Sequence, residues 1–333
     1  MSDTPLRRQY LDIKRRYCDV ILFFRLGDFY ETFEDDARIA SSVLGITLTS
    51  REMGKGKRYP MAGIPYHALD NYLGRLIQAG HKVAICEQTT EPGQGLVERD
   101  VVRVVTAGTL VEEQLLDGKT NNFLAAAIIG EGSAGVAYLD VSTSEFAVTE
   151  LPVSGLDLEL MRLAPAELLV RVGDDVLATS GADVTELADS DFDGGDSEER
   201  LLRHFGVTTL EAFGCAGKKL AIAAAGAVLA YLERTQRTAA ASIASLSTYS
   251  TDGYMALDPQ TRRNLEIAQA GRWGDQGQSL LSVIDETRTS MGGRMLRRWV
   301  GQPLIDRSQI DERLDAVAWF YDRPVVRAQV GEY

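Results

Sequence analysis

Cysteine and histidine are scarce in this 333-residue chain, and neither is grouped. Cys18, Cys86 and Cys215 are too few and too scattered for a disulfide framework, which points to a reducing compartment. None sits in a CxxC, and His67, His81 and His204 are equally dispersed, so no zinc-type ligand spacing occurs. Long apolar runs are also missing. The longest, Leu220 to Leu232, is 13 residues between Lys218-Lys219 and Glu233-Arg234, short of the roughly 20 needed to span a bilayer. It predicts a buried helix. The first residues carry Asp3, Thr4, Arg7 and Arg8 rather than an apolar core, so no export segment is expected. With 9 Pro against 31 Gly, 45% hydrophobic and 25% charged residues, the composition excludes collagen-like, low-complexity and wholly disordered chains. At about 150 residues per domain, the length predicts two or three domains, each able to bury a core.

Basic charge is short overall, since the formal net charge is −13. Taken alone, that argues against nucleic acid, because phosphate binding needs local positive potential. The distribution along the chain removes the objection. Residues 1–110 carry 15 Lys/Arg against 14 Asp/Glu, residues 111–200 carry 4 against 20, and residues 201–333 carry 16 against 14. The acidity belongs to the middle third, which DNA should repel and which suits protein contacts. The outer thirds remain free to present basic patches.

Thr4-Pro5 reads as N-cap and N1 of a first amphipathic helix bearing Leu6, Tyr10, Ile13 and Tyr17. Val20 to Leu26 predicts a buried strand, and Gly27-Asp28 a bulge or turn before the extended Phe29 to Phe33. A helix from Asp35 to Leu44, a strand from Ile46 to Thr49 and a basic loop from Arg51 to Arg58 follow. A helix from about Ala68 to Gln78 and strands at Val83 to Cys86 and Val101 to Val105 complete a mixed α/β unit. Phe123 to Ile129, Gly135 to Val141 and Glu145 to Leu151 then predict an antiparallel meander, with a fourth strand at Leu168 to Val172. Asp189 to Glu199 reads as a solvated acidic loop before a helix at Arg200 to Phe205. Helices are expected at Lys219 to Arg237, Thr261 to Ile267, Thr289 to Val300 and Asp306 to Arg323, with a strand-like Tyr254 to Leu257. Pro324 is expected to end the last helix, and Val325 to Tyr333 show no closing element, as though the chain were cut inside a helical domain.

Five places in the chain raise the question of chemistry beyond packing. Phe23 to Glu31 holds four aromatics and three charges in nine residues. Its ordinary use is a core strand, but a Phe exposed beside Gly is the kind of side chain that wedges between base steps and kinks DNA. A carboxylate two residues away would face phosphates, so it makes sense only by accepting a hydrogen bond from a base edge, or by meeting a base acceptor in protonated form. Arg51, Lys55, Lys57 and Arg58, with Gly54 and Gly56 between, form a loop that is either solvated or a phosphate contact. Arg294, Arg297 and Arg298 fit a helix C-terminal dipole. Gly118-Lys119-Thr120 imitates the end of a P-loop, but Glu113 stands where that motif needs Gly and neighbouring carboxylates would repel a triphosphate, so no NTP site is expected. Asp140, on a meander strand, is the one residue that would open a magnesium-dependent nuclease reading, which needs further convergent carboxylates.

At Gly27-Asp28-Phe29-Tyr30-Glu31 the chain resembles bacterial DNA mismatch-recognition proteins of the MutS family. The resemblance extends through Asp35-Asp36-Ala37, Pro60 to Ala68, Val83 to Gln88, Val101 to Thr106, Ser279 to Asp285 and Met291 to Leu296. It implies an α/β multidomain fold: a mixed α/β mismatch-binding domain over 1–112, an RNase H-like α/β connector domain over 120–245, and the start of an all-α lever and core domain, truncated, over 250–333. It implies mismatched double-stranded DNA as partner, with Phe29 the wedge stacked on a mispaired base and Glu31 its hydrogen-bonding neighbour. Arg51, Lys55, Lys57, Arg58 and Met61 become expected DNA contacts. For the full-length family it further implies a homodimer, a MutL-type matchmaker docking on connector and core, cytoplasmic and nucleoid-associated residence, and ATP and Mg in an ATPase domain outside this chain. No cofactor, metal, membrane contact or catalytic residue is expected within these residues. The competing readings are the nuclease through Asp140 and an interaction module that docks partners on its acidic middle third without binding DNA.

Overall fold

The computed structural model describes residues 4–54, 56–90, 97–174, 176, 181–268 and 279–332. The chain begins with α1 (Pro5–Arg16), where Thr4 Oγ1 accepts the Arg7 amide at 3.3 Å and Pro5 occupies the first turn. Lys14, Arg15 and Arg16 in the last turn complement the helix dipole. β1 (Ile21–Leu26) and β2 (Phe29–Phe33) form a tight antiparallel hairpin, with Leu26 opposite Phe29. Gly27-Asp28 is therefore a turn rather than a bulge, and Gly27 takes φ 59°, a conformation that costs glycine nothing.

α2 (Glu34–Leu44), β3 (Thr49–Glu52), β4 (Arg58–Pro65), α3 (Leu69–Gln78), β5 (Val83–Gln88) and β6 (Arg99–Val105) follow. The six strands run in the order β3-β4-β2-β1-β5-β6, antiparallel except for the β1–β5 pair. Two expectations shift here. The strand expected at Ile46 to Thr49 begins only at Thr49, and the expected loop from Arg51 to Arg58 is shorter than expected, because Arg51 pairs with Tyr59 and Glu52 with Arg58 at its two ends. Gly54 and Gly56, both at positive φ, confine the chain reversal to the hairpin tip.

Alternation along the strands feeds two apolar layers. On one face α1 contributes Tyr10 and Ile13 to a cluster with Leu22, Phe24, Phe33 and Cys86; on the other, Phe23, Tyr30, Ile64 and Ile85 pack beneath α2 and α3. Full burial of each such ring or branched chain contributes roughly 1.5–3 kcal/mol. The buried Asp36 joins α1, β1 and α2: it takes Lys14 Nζ at 2.9 Å and the Leu22 amide at 3.0 Å.

In the second unit β7 (Phe123–Ile129), β8 (Ser133–Asp140) and β9 (Glu145–Pro152) make the expected antiparallel meander. β10 (Glu167–Arg171) lies parallel to β7, and β11 (Asp183–Leu187) parallel to β10. α4 (Leu156–Leu163) covers one side, and α5 (Gly194–Phe205), α6 (Lys219–Thr235) and the short α7 (Arg237–Ala240) the other; β12 (Ser247–Thr248) extends β9 in parallel. The apolar run is indeed a buried helix. α6 approaches the sheet so closely that a Cβ on Gly135 would lie 2.2 Å from the Leu220 backbone. The acidic stretch from Asp189 to Glu199 is not a loop. Asp193 caps α5 by accepting the amides of Gly195 and Asp196, and the acids that follow sit in the first turns, where the dipole favours them.

The third part is helical: α8 (Pro259–Asn264), α9 (Leu280–Ile284), α10 (Ser290–Gly301), α11 (Arg307–Tyr321) and α12 (Pro324–Val330). The strand expected at Tyr254 to Leu257 is a single bridge from Tyr254 to Leu304. Pro324 opens α12 instead of ending the chain's regular structure, since its fixed φ suits a first helical position.

Polar hubs lock these parts together. Glu167, fully buried at the start of β10, accepts from Thr106 Oγ1, the Gly108 amide at 3.1 Å, Thr185 Oγ1 at 2.7 Å and Tyr231 OH at 2.7 Å, with Lys82 Nζ 3.5 Å away. Lys82 belongs to the first sheet's approach to β5, so one carboxylate ties the first unit and its outgoing chain to the second. The P-loop imitation is another hub. Lys119 Nζ donates to both oxygens of Asp285 at 3.0 Å and to Thr287 O at 2.9 Å, while Arg294 Nη1 donates to Gly118 O at 2.7 Å.

Candidate nucleic-acid interface

β2 leaves the core at its start. Phe33, at the far end, is 2% exposed beneath Tyr10, with ring centroids 5.0 Å apart, whereas Phe29 on the same face is 47% exposed. The other aromatics of the segment, Phe23, Phe24 and Tyr30, are all buried. Four of the five rings in Phe23 to Phe33 thus serve the core, and the one beside the glycine turn does not.

Glu31, between them on that face, is largely covered. Its carboxylate is paired with Arg51 Nη1, and the Arg51 side chain remains 38% exposed. Gly63 faces Glu31 across the β2–β4 ladder; a Cβ there would stand 3.3 Å from Tyr30 O and 3.5 Å from Glu31 Cγ, so a larger residue would contest the space that the carboxylate uses. The sequence alone does not expose this ion pair. Its partners are 20 residues apart and meet only because β2, β4 and β3 are sheet neighbours.

The remaining candidates divide. Met61 pairs with Phe33 and Thr49 and packs half-buried against the α1-covered cluster. Arg58 starts β4 and is tied back across the hairpin, through Nε to Ser50 Oγ at 2.9 Å and Nη2 to Ser50 O at 2.7 Å. Lys57 is exposed at the hairpin tip. Lys55 lies outside the described residues. Phe29, Glu31, Arg51 and Met61 thus share one sheet region, with Lys57 and Arg58 at the neighbouring hairpin. A half-exposed ring, a charge-compensated carboxylate and nearby cations can meet a base stack and a phosphate backbone together.

A second layer fixes the turn itself. Arg25, opposite Tyr30 in the hairpin, places its guanidinium 4.0 Å from the Tyr66 ring centroid and donates Nε to Gly27 O at 2.5 Å. Tyr30 OH donates to Glu87, and burial followed by that hydrogen bond pushes the phenol up to about 12.

Asp140, the candidate metal ligand of the nuclease reading, is engaged by local donors. Fully buried, it accepts from Asn121 Nδ2 at 2.7 Å, the Asn122 amide at 3.2 Å, Ser142 N at 2.9 Å, Ser142 Oγ at 2.6 Å and Thr143 N at 3.2 Å. Five donors saturate its lone pairs and make it the organiser of the β8–β9 turn. Among the described residues no group of three or more His, Cys, Asp or Glu could hold a metal ion. These contacts do not favour the nuclease reading. No helix among the described residues is long and apolar enough to cross a membrane.

Comparison with known proteins places the chain in a family. Family profiles for MutS domain I, MutS domain II and MutS domain III match residues 4–114, 122–246 and 260–332. A DNA mismatch repair protein MutS from Dehalococcoides mccartyi is 50% identical over 333 residues, covering 99% of this chain and 39% of the relative. Proteins of the same name from Syntrophomonas wolfei and Methanococcoides burtonii are 46% and 43% identical, over 95% and 98% of this chain. The chain spans 39% of the first of these and of the Syntrophomonas relative, and 38% of the Methanococcoides one. With domains I, II and III matched in order over nearly its whole length, the chain belongs to the MutS family.

Proposed function

We propose that the first unit recognises mispaired or unpaired bases in duplex DNA, by inserting Phe29 where the stack is weakest. The observation that carries this reading is the 47% exposure of Phe29 on a strand whose other aromatics are buried. Selectivity comes from deformation: a mispair unstacks and bends at lower cost than a matched pair, so a ring that must be inserted prefers it without reading sequence. Glu31 supplies the hydrogen bond to the displaced base. Its pairing with Arg51 supports that role, because the cation offsets a carboxylate that would otherwise repel phosphates. Lys55, Lys57 and Arg58 contribute sequence-independent phosphate attraction, Arg51 lies near the DNA but is spent on neutralising Glu31, and Met61 supports the sheet behind the wedge.

The acidic second unit is read as a connector and a protein-docking surface, where a MutL-type matchmaker would bind, within a homodimer that works beside the nucleoid in the cytoplasm. The reading assigns no catalytic residue and no ATP or magnesium site to this chain; Gly118-Lys119-Thr120 serves as a latch to the helical third part. Titration of matched and mismatched duplexes at one salt concentration, with and without magnesium and followed by a gel, tests the proposal. Preference for the mismatch without cleavage is expected. Equal affinity overturns recognition, and magnesium-dependent cleavage restores an enzymatic reading.

A further inference from the structure

Both carbonyls of the turn that presents Phe29 are held from outside the turn. Arg25 Nε donates to Gly27 O at 2.5 Å, and the Tyr66 amide donates to Asp28 O at 2.9 Å. The two donors are themselves joined, since the Arg25 guanidinium lies over the Tyr66 ring at 4.0 Å and also 5.4 Å from the Tyr30 ring. Tyr66 follows Pro65, which pairs with Phe29 across the ladder. Behind Arg25, Arg99 Nε donates to Arg25 O at 2.7 Å, and Glu87 lies 3.8 Å from its guanidinium.

We infer that Arg25 and Tyr66 are positioning residues that brace the Gly27-Asp28 turn, so that Phe29 enters a base step as a rigid wedge. The inference rests on the mismatch reading above and deepens it. A glycine at positive φ gives the turn its shape but no stiffness. A ring that must force two stacked bases apart does so only if its support does not yield first, and a turn held at both carbonyls has no free carbonyl left to rotate. Arg25 suits the task and Lys does not. The planar guanidinium stacks on Tyr66 while its Nε reaches Gly27; an ammonium retains the charge but not that combination.

The Arg25 side chain is only 19% exposed, which sets it apart from a solvated phosphate ligand. Charge and position can therefore be separated by experiment. Matched and mismatched duplexes are titrated over a range of salt with the full chain, Arg25→Lys, Tyr66→Leu, Tyr66→Phe and Phe29→Ala. Arg25→Lys should lower the mismatch-to-matched ratio roughly five-fold or more, the lower end of what one stacked base contributes, with the salt slope unchanged. Tyr66→Leu, at a position 44% exposed and so tolerant of substitution, should do the same, and Tyr66→Phe should behave as the parent. A parent-like ratio in both Arg25→Lys and Tyr66→Leu, while Phe29→Ala loses its preference, overturns the brace and leaves the wedge standing. A changed salt slope in Arg25→Lys overturns it in favour of a phosphate contact. If Phe29→Ala itself keeps the parent's preference, or the parent has none, the mismatch reading fails instead.

Discussion

Removing Glu31 should strengthen binding to matched DNA and weaken discrimination, with a quantitative signature in salt. In the free protein Arg51 is committed to Glu31, whose side chain is 14% exposed. Glu31→Ala deletes one negative charge and releases one guanidinium, which then has a phosphate to contact. Each added phosphate contact steepens the dependence of log K on log salt by about 0.9, so that between 50 and 200 mM salt affinity should fall about 3.5-fold more than for the parent. Arg51→Ala should do the opposite to matched affinity. It also leaves a mostly covered carboxylate without its counter-ion, destabilising the fold by roughly 1 kcal/mol, a figure kept low because Arg51 is partly solvated. The double substitution should return the slope to the parent's, because the released cation is gone. The mismatch ratio should fall in Glu31→Ala and stay low in the double variant, since the hydrogen bond to the displaced base is absent from both. Fluorescence anisotropy of labelled duplexes at four salt concentrations measures every quantity. An unchanged slope in Glu31→Ala, with matched affinity also unchanged, would refute the idea that the ion pair withholds Arg51 from DNA.

Phe33→Ala should cost about 3–5 kcal/mol in denaturant unfolding and Phe29→Ala less than about 1 kcal/mol, because only the former ring fills the core; similar losses would contradict the distinction between wedge and filler. A thiol reagent at pH 8 should label Cys18 alone in the native chain and all three cysteines after unfolding, since Cys86 and Cys215 are buried and burial pushes the Cys86 thiol up to about 12. The Thr287 hydroxyl, then Lys119, hold the Asp285 carboxyl down to about 2. A group depressed in the folded state stabilises above its unfolded value near 4 and loses that contribution as pH falls towards 2. Carboxyl NMR should accordingly find the Asp285 midpoint low, and higher in Thr287→Val; no movement would remove the hydroxyl as its main cause. Glu167→Ala, which strands Lys82 and several buried donors, should cost about 3–5 kcal/mol and speed amide exchange at residues 106–109; a neutral result would mean that the hub does not join the two units.

Much of the first unit is legible in the sequence because its signals are local. Thr4-Pro5 caps a helix, and Gly27 marks a reversal. What periodicity cannot give is adjacency between strands distant in sequence. Glu31 and Arg51 meet only through the order β2-β4-β3, and Arg51, Glu52 and Arg58 look like part of a loop until the β3–β4 ladder is seen. Composition is half right at Asp189 to Glu199, where most of the acids are exposed as expected, but the cap at Asp193 and the helix dipole place Asp196, Glu198 and Glu199 in α5 rather than in a loop. It misleads at Asp140, whose type suggests a metal ligand while its neighbours Asn121, Ser142 and Thr143 consume every lone pair. Phe29 stands out by its place beside glycine, but only burial separates it from the four rings around it.

The central claim, that the Phe29 ring enters the stack at a mispair, is tested most directly by a fluorescent base analogue placed next to a mismatch, read with the parent chain and with Phe29→Ala at saturating protein. The account predicts a rise in fluorescence on binding of the parent, as the analogue is unstacked, little rise on the matched duplex, and none with Phe29→Ala even where that variant is bound. An equal rise with Phe29→Ala would contradict it.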